Sequence, residues 1–229
     1  MTDLHISHAG RTDVGIVRAN NEDAYLIDED IRLYIVCDGV GGRAGGAVAS
    51  RLGCEWINRT LREHSADLMT FGTEHSKLTR REISRIIEGA FNDASARIRS
   101  EAQRNPELNG MASTAAAVLV AGHHAFIAHI GDSRVYLLRH KTLHQLTEDH
   151  SLLNDMKRRG RKPDRKHLGA AYQGALTRAL GVLDTARPDL LDVELMSGDR
   201  FVLCSDGVSG VLNEGAMQAI TPHGDAMET

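Results

Sequence analysis

Four acidic motifs follow, or stand between, segments that read as short strands: NNEDA at 20–24, CDGVGG at 37–42, IGDSR at 130–134 and CSDGVSG at 204–210. Carboxylates gathered at the strand ends of one fold suit hard divalent cations such as Mg2+ or Mn2+, which prefer oxygen ligands. Gly39 adds a specific capability: with no side chain, its own carbonyl can approach a cation, so Asp38 and Gly39 can supply two ligands together. Taken singly, each motif reads as a turn before it reads as a ligand, because Asp-Gly is a common turn dipeptide. Two apolar strands ending in C-D-G and C-S-D-G, far apart in the chain, fit ordinary hairpins poorly, and a two-metal site is the reading set against the turns.

Other chemistries find little support. No Gly-Lys-Ser/Thr follows the glycines of residues 39–46, so a phosphate-binding nucleotide loop is excluded, and no β-α-β frame surrounds a G-x-G-x-x-G. G-x-S-x-G, H-E-x-x-H and C-x-x-C are all absent. Cys37, Cys54 and Cys204 sit in apolar surroundings and read as buried free thiols rather than a disulfide framework.

The elements that must position the acids are short. Apolar or alternating runs predict strands at 24–27, 32–37, 114–121, 125–130, 134–139 and 200–204. Between the second and third lie two amphipathic helices. Val48, Leu52, Trp56, Ile57 and Leu61 form one apolar stripe; Ile83, Ile86, Ile87, Ala90, Phe91, Ala94 and Ile98 form the other. Strands, then a helical pair, then strands predict an α+β fold with helices covering antiparallel sheets. AGHHAF at 121–126 reads as a hairpin turn exposing His123 and His124, and HISH at 5–8 as alternating residues on a strand. The Lys- and Arg-rich stretch 154–173 reads as a surface loop after a short helix.

At 229 residues and 41% hydrophobic composition, the chain suffices for one domain spanning 1–229. Its net charge of -4, from 31 acidic and 27 basic residues, lacks the basic excess of a dedicated nucleic-acid binder. No run approaches the roughly 18 apolar residues of a membrane span, and MTDLHISHAGR lacks the apolar core of a signal peptide. A cytoplasmic location is the simplest expectation.

GIVRANNEDA, VCDGVGGRAGGAVAS, GMASTAAAVLV, AHIGDSRVYLL, LTEDHSLL, LTRALG and RFVLCSDGVSGVL occur in an order and spacing that resemble the bacterial PPM, or type 2C, metal-dependent Ser/Thr protein phosphatases, over residues 10 to about 220. The resemblance implies an α-β-β-α sandwich of two antiparallel sheets flanked by helices, with a dinuclear Mg2+ or Mn2+ centre at one edge. It implies hydrolysis of phosphoserine and phosphothreonine in proteins by a metal-activated water, opposing a Ser/Thr kinase. Asp38 resembles the carboxylate that bridges both metals, Gly39 the carbonyl ligand, Asp206 a second carboxylate ligand, and Asp132 the aspartate that helps hold a third ion. Arg18 resembles the arginine that grips the substrate phosphate, and Glu22 and Asp23 acidic residues around the metal waters. The basic stretch 154–173 falls where the family has its flap.

The resemblance is incomplete in places. Arg43 stands where many members carry a histidine proton donor, Ala47 replaces a glutamate, and Gly174 replaces an asparagine before LTRALG. The family's final D-N-x-T motif, whose aspartate is a metal ligand, does not follow CSDG; Asp225 is the only later aspartate. The resemblance thus leads one to expect either a C-terminally truncated phosphatase lacking the closing strand or a natural short form. It also leaves a phosphatase-like module that binds phosphoproteins or a kinase without turnover as the alternative function, with a small-molecule phosphatase as a third.

Overall fold

The computed structural model describes residues 4–41, 45–161 and 174–221. The readings made for Arg43, for 162–173 within the basic stretch and for Asp225 lie outside the described residues.

Nine strands form two antiparallel sheets among these residues. The larger sheet has the order β1 (Asp23–Asp28), β2 (Leu33–Val40), β4 (Ala115–Ala121), β5 (His124–Ile130) and β8 (Asp189–Glu194), with the two-residue β3 (Ala112–Ser113) pairing with β2. The smaller sheet has the order β7 (Thr142–Gln145), β6 (Arg134–Arg139), β9 (Arg200–Cys204). Strand β4 explains the stacking. All seven of its residues are buried: Ala115, Ala117, Leu119 and Ala121 face the helices, while Ala116, Val118 and Val120 face the second sheet. A strand buried on both faces reads as a continuous apolar run, and AAAVLVA is one.

On the outer face of the larger sheet lie α1 (Gly45–Arg62) and α3 (Arg80–Arg104), joined through the short α2 (Ser65–Thr70). Their buried stripes, Ala49, Leu52, Ile57 and Leu61 on one and Ile83, Ile87, Ala90, Phe91, Ala94 and Ile98 on the other, pack on Leu33, Ile35, Phe126 and Ile130. Thr79 starts α3 with a capping box, accepting from the Glu82 N–H while the Glu82 carboxylate accepts the Thr79 N–H at 2.7 Å. Beyond the smaller sheet, α6 (Glu214–Ile220) lays Met217 against Tyr136 and Cys204. The order of layers is helix, sheet, sheet, helix. The α-β-β-α sandwich expected from sequence is present.

Several local expectations are corrected. Residues 4–8 form no strand; Leu4 and Ile6 pack as irregular chain against the layer between the sheets. His123 is an exposed turn residue, but His124 opens β5, with its ring packed against Phe71 and Phe126. The basic stretch does not begin as loop, because residues 154–158 belong to α4 (Leu152–Arg158), capped by the Ser151 hydroxyl. All three cysteines are free and buried.

Candidate metal centre

The predicted acids come from different elements and meet where strands end at one edge of the sandwich. Asp23 and Asp38 are directly paired residues of β1 and β2. Asp132 sits in the turn between β5 and β6, and Asp206 opens the four-residue helix α5 (Asp206–Ser209) immediately after β9. Asp38 is the carboxylate the others share. Burial first, then the charges of Asp23, Asp206 and Asp132 and a hydrogen bond with Asp206, push its pKa up to about 8. Burial and the charge of Asp206, then Asp149, likewise raise Asp132 to about 6.

Carboxylates so raised are ones whose negative charge lacks compensation. Among the described residues no Lys or Arg forms an ion pair with Asp23, Asp38, Asp132 or Asp206. Arg134, two residues from Asp132, is spent on Asp149 through two 2.7 Å hydrogen bonds. Four all-oxygen side chains short of positive charge suit Mg2+ or Mn2+ and offer nothing to a soft metal.

Hydroxyl groups beside the acidic motifs set the frame, and here the sequence reading missed residues. Thr114 accepts the Asp38 N–H at its hydroxyl and shares a 2.6 Å hydrogen bond with Ser133 Oγ, next to Asp132. The Ser113 hydroxyl donates to the Asp38 carbonyl at 3.1 Å. Ser205, just before Asp206, donates to Asp23 Oδ2 at 2.7 Å. The available signal was positional: each hydroxyl abuts an acid in GDS or CSD, or sits in MAST opposite the end of β2.

Gly39 is buried at a close approach. A Cβ there would lie 1.9 Å from the Gly46 carbonyl oxygen and 2.8 Å from that of Glu22, which already accepts the Gly39 N–H at 3.0 Å. The loop must therefore pack backbone on backbone, which only glycine permits. Glu22 is half-buried; its Oε1 occupies the space a side chain on Gly46 would need. Arg18 is exposed and reaches Glu22 only at 3.7 Å. Asp23, expected around the metal waters, pairs with Asp38 across β1 and β2, and its charge is the first of those that raise the Asp38 pKa.

The family model described as Protein phosphatase 2C matches residues 16–228. The serine/threonine phosphatase Stp of Listeria welshimeri is 33% identical over 213 residues, covering 92% of this chain and 81% of that protein. The crystal structure of the Mycobacterium tuberculosis serine/threonine phosphatase PstP superposes with a TM-score of 0.76 at 32% identity, over 93% of this chain and 84% of that one. The catalytic domain of PstP in complex with two manganese ions gives a TM-score of 0.73 at 31% identity, with the same coverage.

Proposed function

The chain belongs to the protein phosphatase 2C family, and from that membership and the carboxylate cluster we infer that it hydrolyses phosphoserine and phosphothreonine in proteins with Mn2+ or Mg2+ as cofactor. The observation that carries the reading is Asp38, half-buried beside Asp23, Asp132 and Asp206, with no cationic side chain paired to any of them among the described residues. Two bound divalent cations supply an acidified water nucleophile and charge neutralisation for the phosphoryl oxygens.

The chain's own residues do the rest. Asp38 would be a ligand to both cations, Gly39 would offer its carbonyl, and Asp206 would be a further carboxylate ligand. Asp132 serves a third, weaker ion. Asp23 and Glu22 orient water around the centre, and Ser205 holds the Asp23 carboxylate in place at 2.7 Å. Arg18, exposed and only loosely paired, grips the phosphate with its planar fork of donors. Phosphorylated proteins are the substrates and a Ser/Thr kinase is the activity opposed. No helix among the described residues is long and apolar enough to cross a membrane. The binding-module alternative is not favoured, since the listerial and mycobacterial relatives are named as phosphatases and the carboxylates such a module could lose are present.

Hydrolysis of a phosphothreonine peptide tests the reading. Turnover is expected with Mn2+, lost on EDTA treatment and lost in Asp38→Ala. Turnover that survives both overturns the mechanism, whereas phosphopeptide binding without Mn2+ binding or turnover would restore the binding module.

A further inference from the structure

We propose that His150, held in one tautomer by Asp189, is a positioning residue that fixes the Gly131–Asp132 turn and thereby aims the Asp132 carboxylate at the metal centre. This rests on the reading, proposed above, that Asp132 serves a cation.

The turn Gly131-Asp132-Ser133-Arg134 is gripped at both ends by the adjacent residues Asp149 and His150. At one end the Asp149 carboxylate takes two hydrogen bonds from Arg134, both 2.7 Å. At the other, His150 engages both polar groups of Gly131: its own N–H donates to the Gly131 carbonyl at 2.7 Å, and its ring Nδ1 accepts the Gly131 N–H at 3.1 Å. Gly131 has nowhere to retreat. Its φ of +105° belongs to glycine, and a Cβ would lie 2.5 Å from Thr114 Cγ2. Thr114 is the residue that holds Asp38, so Asp38 and Asp132 hang from one assembly that His150 closes from behind.

The tautomer follows from the bonding. Because Nδ1 accepts, the proton of the neutral ring is on Nε2, where it is donated to Asp189 Oδ2 at 3.0 Å. Asp189 is fixed in turn by Arg178, at 2.6 Å to Oδ1 and 3.2 Å to Oδ2. Asp189 belongs to β8 of the larger sheet, while His150 follows β7 of the smaller one, so the clamp ties the two sheets together behind the turn. A wrong tautomer would set two N–H groups against each other at Gly131.

The same cluster admits a second interpretation, a metal triad, since donor atoms of His129, His150 and Asp189 lie within 4.8 Å of one another. Bonding argues against it. With Nδ1 taken by an amide and Nε2 bearing the proton, His150 has no free lone pair for a metal. His129, whose buried ring nitrogens find no hydrogen-bond partner among the described residues, packs as a neutral ring 4.5 Å from His150, and burial holds its pKa down at about 3.

The test titrates Mn2+ into the protein and reads the free ion by electron paramagnetic resonance, beside steady-state kinetics. His150→Ala and Asp189→Ala should each weaken the weakest Mn2+ site about tenfold, the usual effect of losing a partner that orients a ligand. The tighter ions and the KM for phosphopeptide should stay unchanged. His150→Asn, whose amide oxygen can still accept the Gly131 N–H, should recover most of the loss, which a merely structural role would not predict. Asp189 is half exposed, so its variant keeps the test intact should His150→Ala fail to fold. Wild-type isotherms for Asp189→Ala and for a folded His150→Ala, alongside a weakened one for Asp132→Ala, would overturn the proposal. A wild-type isotherm for Asp132→Ala would remove its premise, the role of Asp132, instead.

Discussion

Thr114 meets Asp38 at both backbone groups: its hydroxyl accepts the Asp38 N–H at 2.8 Å, and its own N–H donates to the Asp38 carbonyl at 2.8 Å. The same hydroxyl bonds Ser133 at 2.6 Å, joining the two acidic motifs through one buried atom. Thr114→Val preserves shape but leaves the Asp38 N–H and the Ser133 hydroxyl unsatisfied. The expected cost is about 1–3 kcal/mol in urea denaturation, together with reduced Mn2+-dependent turnover, while Thr114→Ser should retain most of both. A Val variant as stable and active as wild type would remove Thr114 from this role.

Asp38 trades stability for function. In the absence of cations its half-buried carboxylate stands beside three others, an arrangement that disfavours the folded state. Asp38→Asn should therefore raise the melting temperature of the EDTA-treated protein while abolishing turnover. It should also lose the stabilisation that Mn2+ gives the wild type, which reaches about 2.7 kcal/mol at a free concentration a hundred times Kd. Differential scanning calorimetry with and without Mn2+ decides, and an Asn variant less stable than metal-free wild type would contradict the electrostatic picture.

Strand positions were legible wherever burial writes itself into the sequence. The run 134–139 and the run 200–204 coincide with β6 and β9, and the stripes of α1 and α3 are the buried ones. Strand β8 escaped because DLLDVE lies at a sheet edge, half exposed and carrying three acids, so it has no apolar signature. Strand β7, TLHQ, is short and mostly exposed for the same reason. The acids of the site were legible because four acidic motifs recur along the chain in an order that resembles a known family, although any one of them alone reads as a turn. What surrounds them was not: Thr114 bonding Ser133, or His150 bonding Asp189, depends on which strands become neighbours, and that is fixed by long-range pairing rather than local spacing.

Away from the site, Asp28 predicts a pH dependence. Burial opposes its ionisation, but hydrogen bonds from Asn58 and Arg62, with the Arg62 charge, outweigh that and hold its pKa below the usual value. A lowered carboxyl contributes stability that is fully present above the unfolded value, about 3.9, and is lost as pH falls through the lower folded one. Asp28→Asn should thus destabilise at pH 7, and the gap to wild type should close as the pH drops below about 4. Urea denaturation at pH 7, 5 and 3 tests this; a gap that widens on acidification would reverse the sign and refute it.

Arg18 gives the sharpest test of substrate recognition. Its side chain is 76% exposed and its one ion pair among the described residues, with Glu22, is loose at 3.7 Å, so the guanidinium is free to turn toward a phosphate. Being exposed, it contributes little to folding, and Arg18→Lys should leave the denaturation midpoint unchanged. The Lys variant keeps the charge but loses the two-pronged geometry that matches phosphoryl oxygens. With charge-assisted hydrogen bonds worth about 1.5–3 kcal/mol, kcat/KM for a phosphothreonine peptide should fall roughly tenfold or more in Arg18→Lys, and further in Arg18→Ala. Mn2+ affinity should be untouched in both, because Arg18 acts on the substrate and not on the cations. If Arg18→Ala instead weakens Mn2+ binding while sparing kcat/KM at saturating metal, Arg18 orders Glu22 rather than the phosphate.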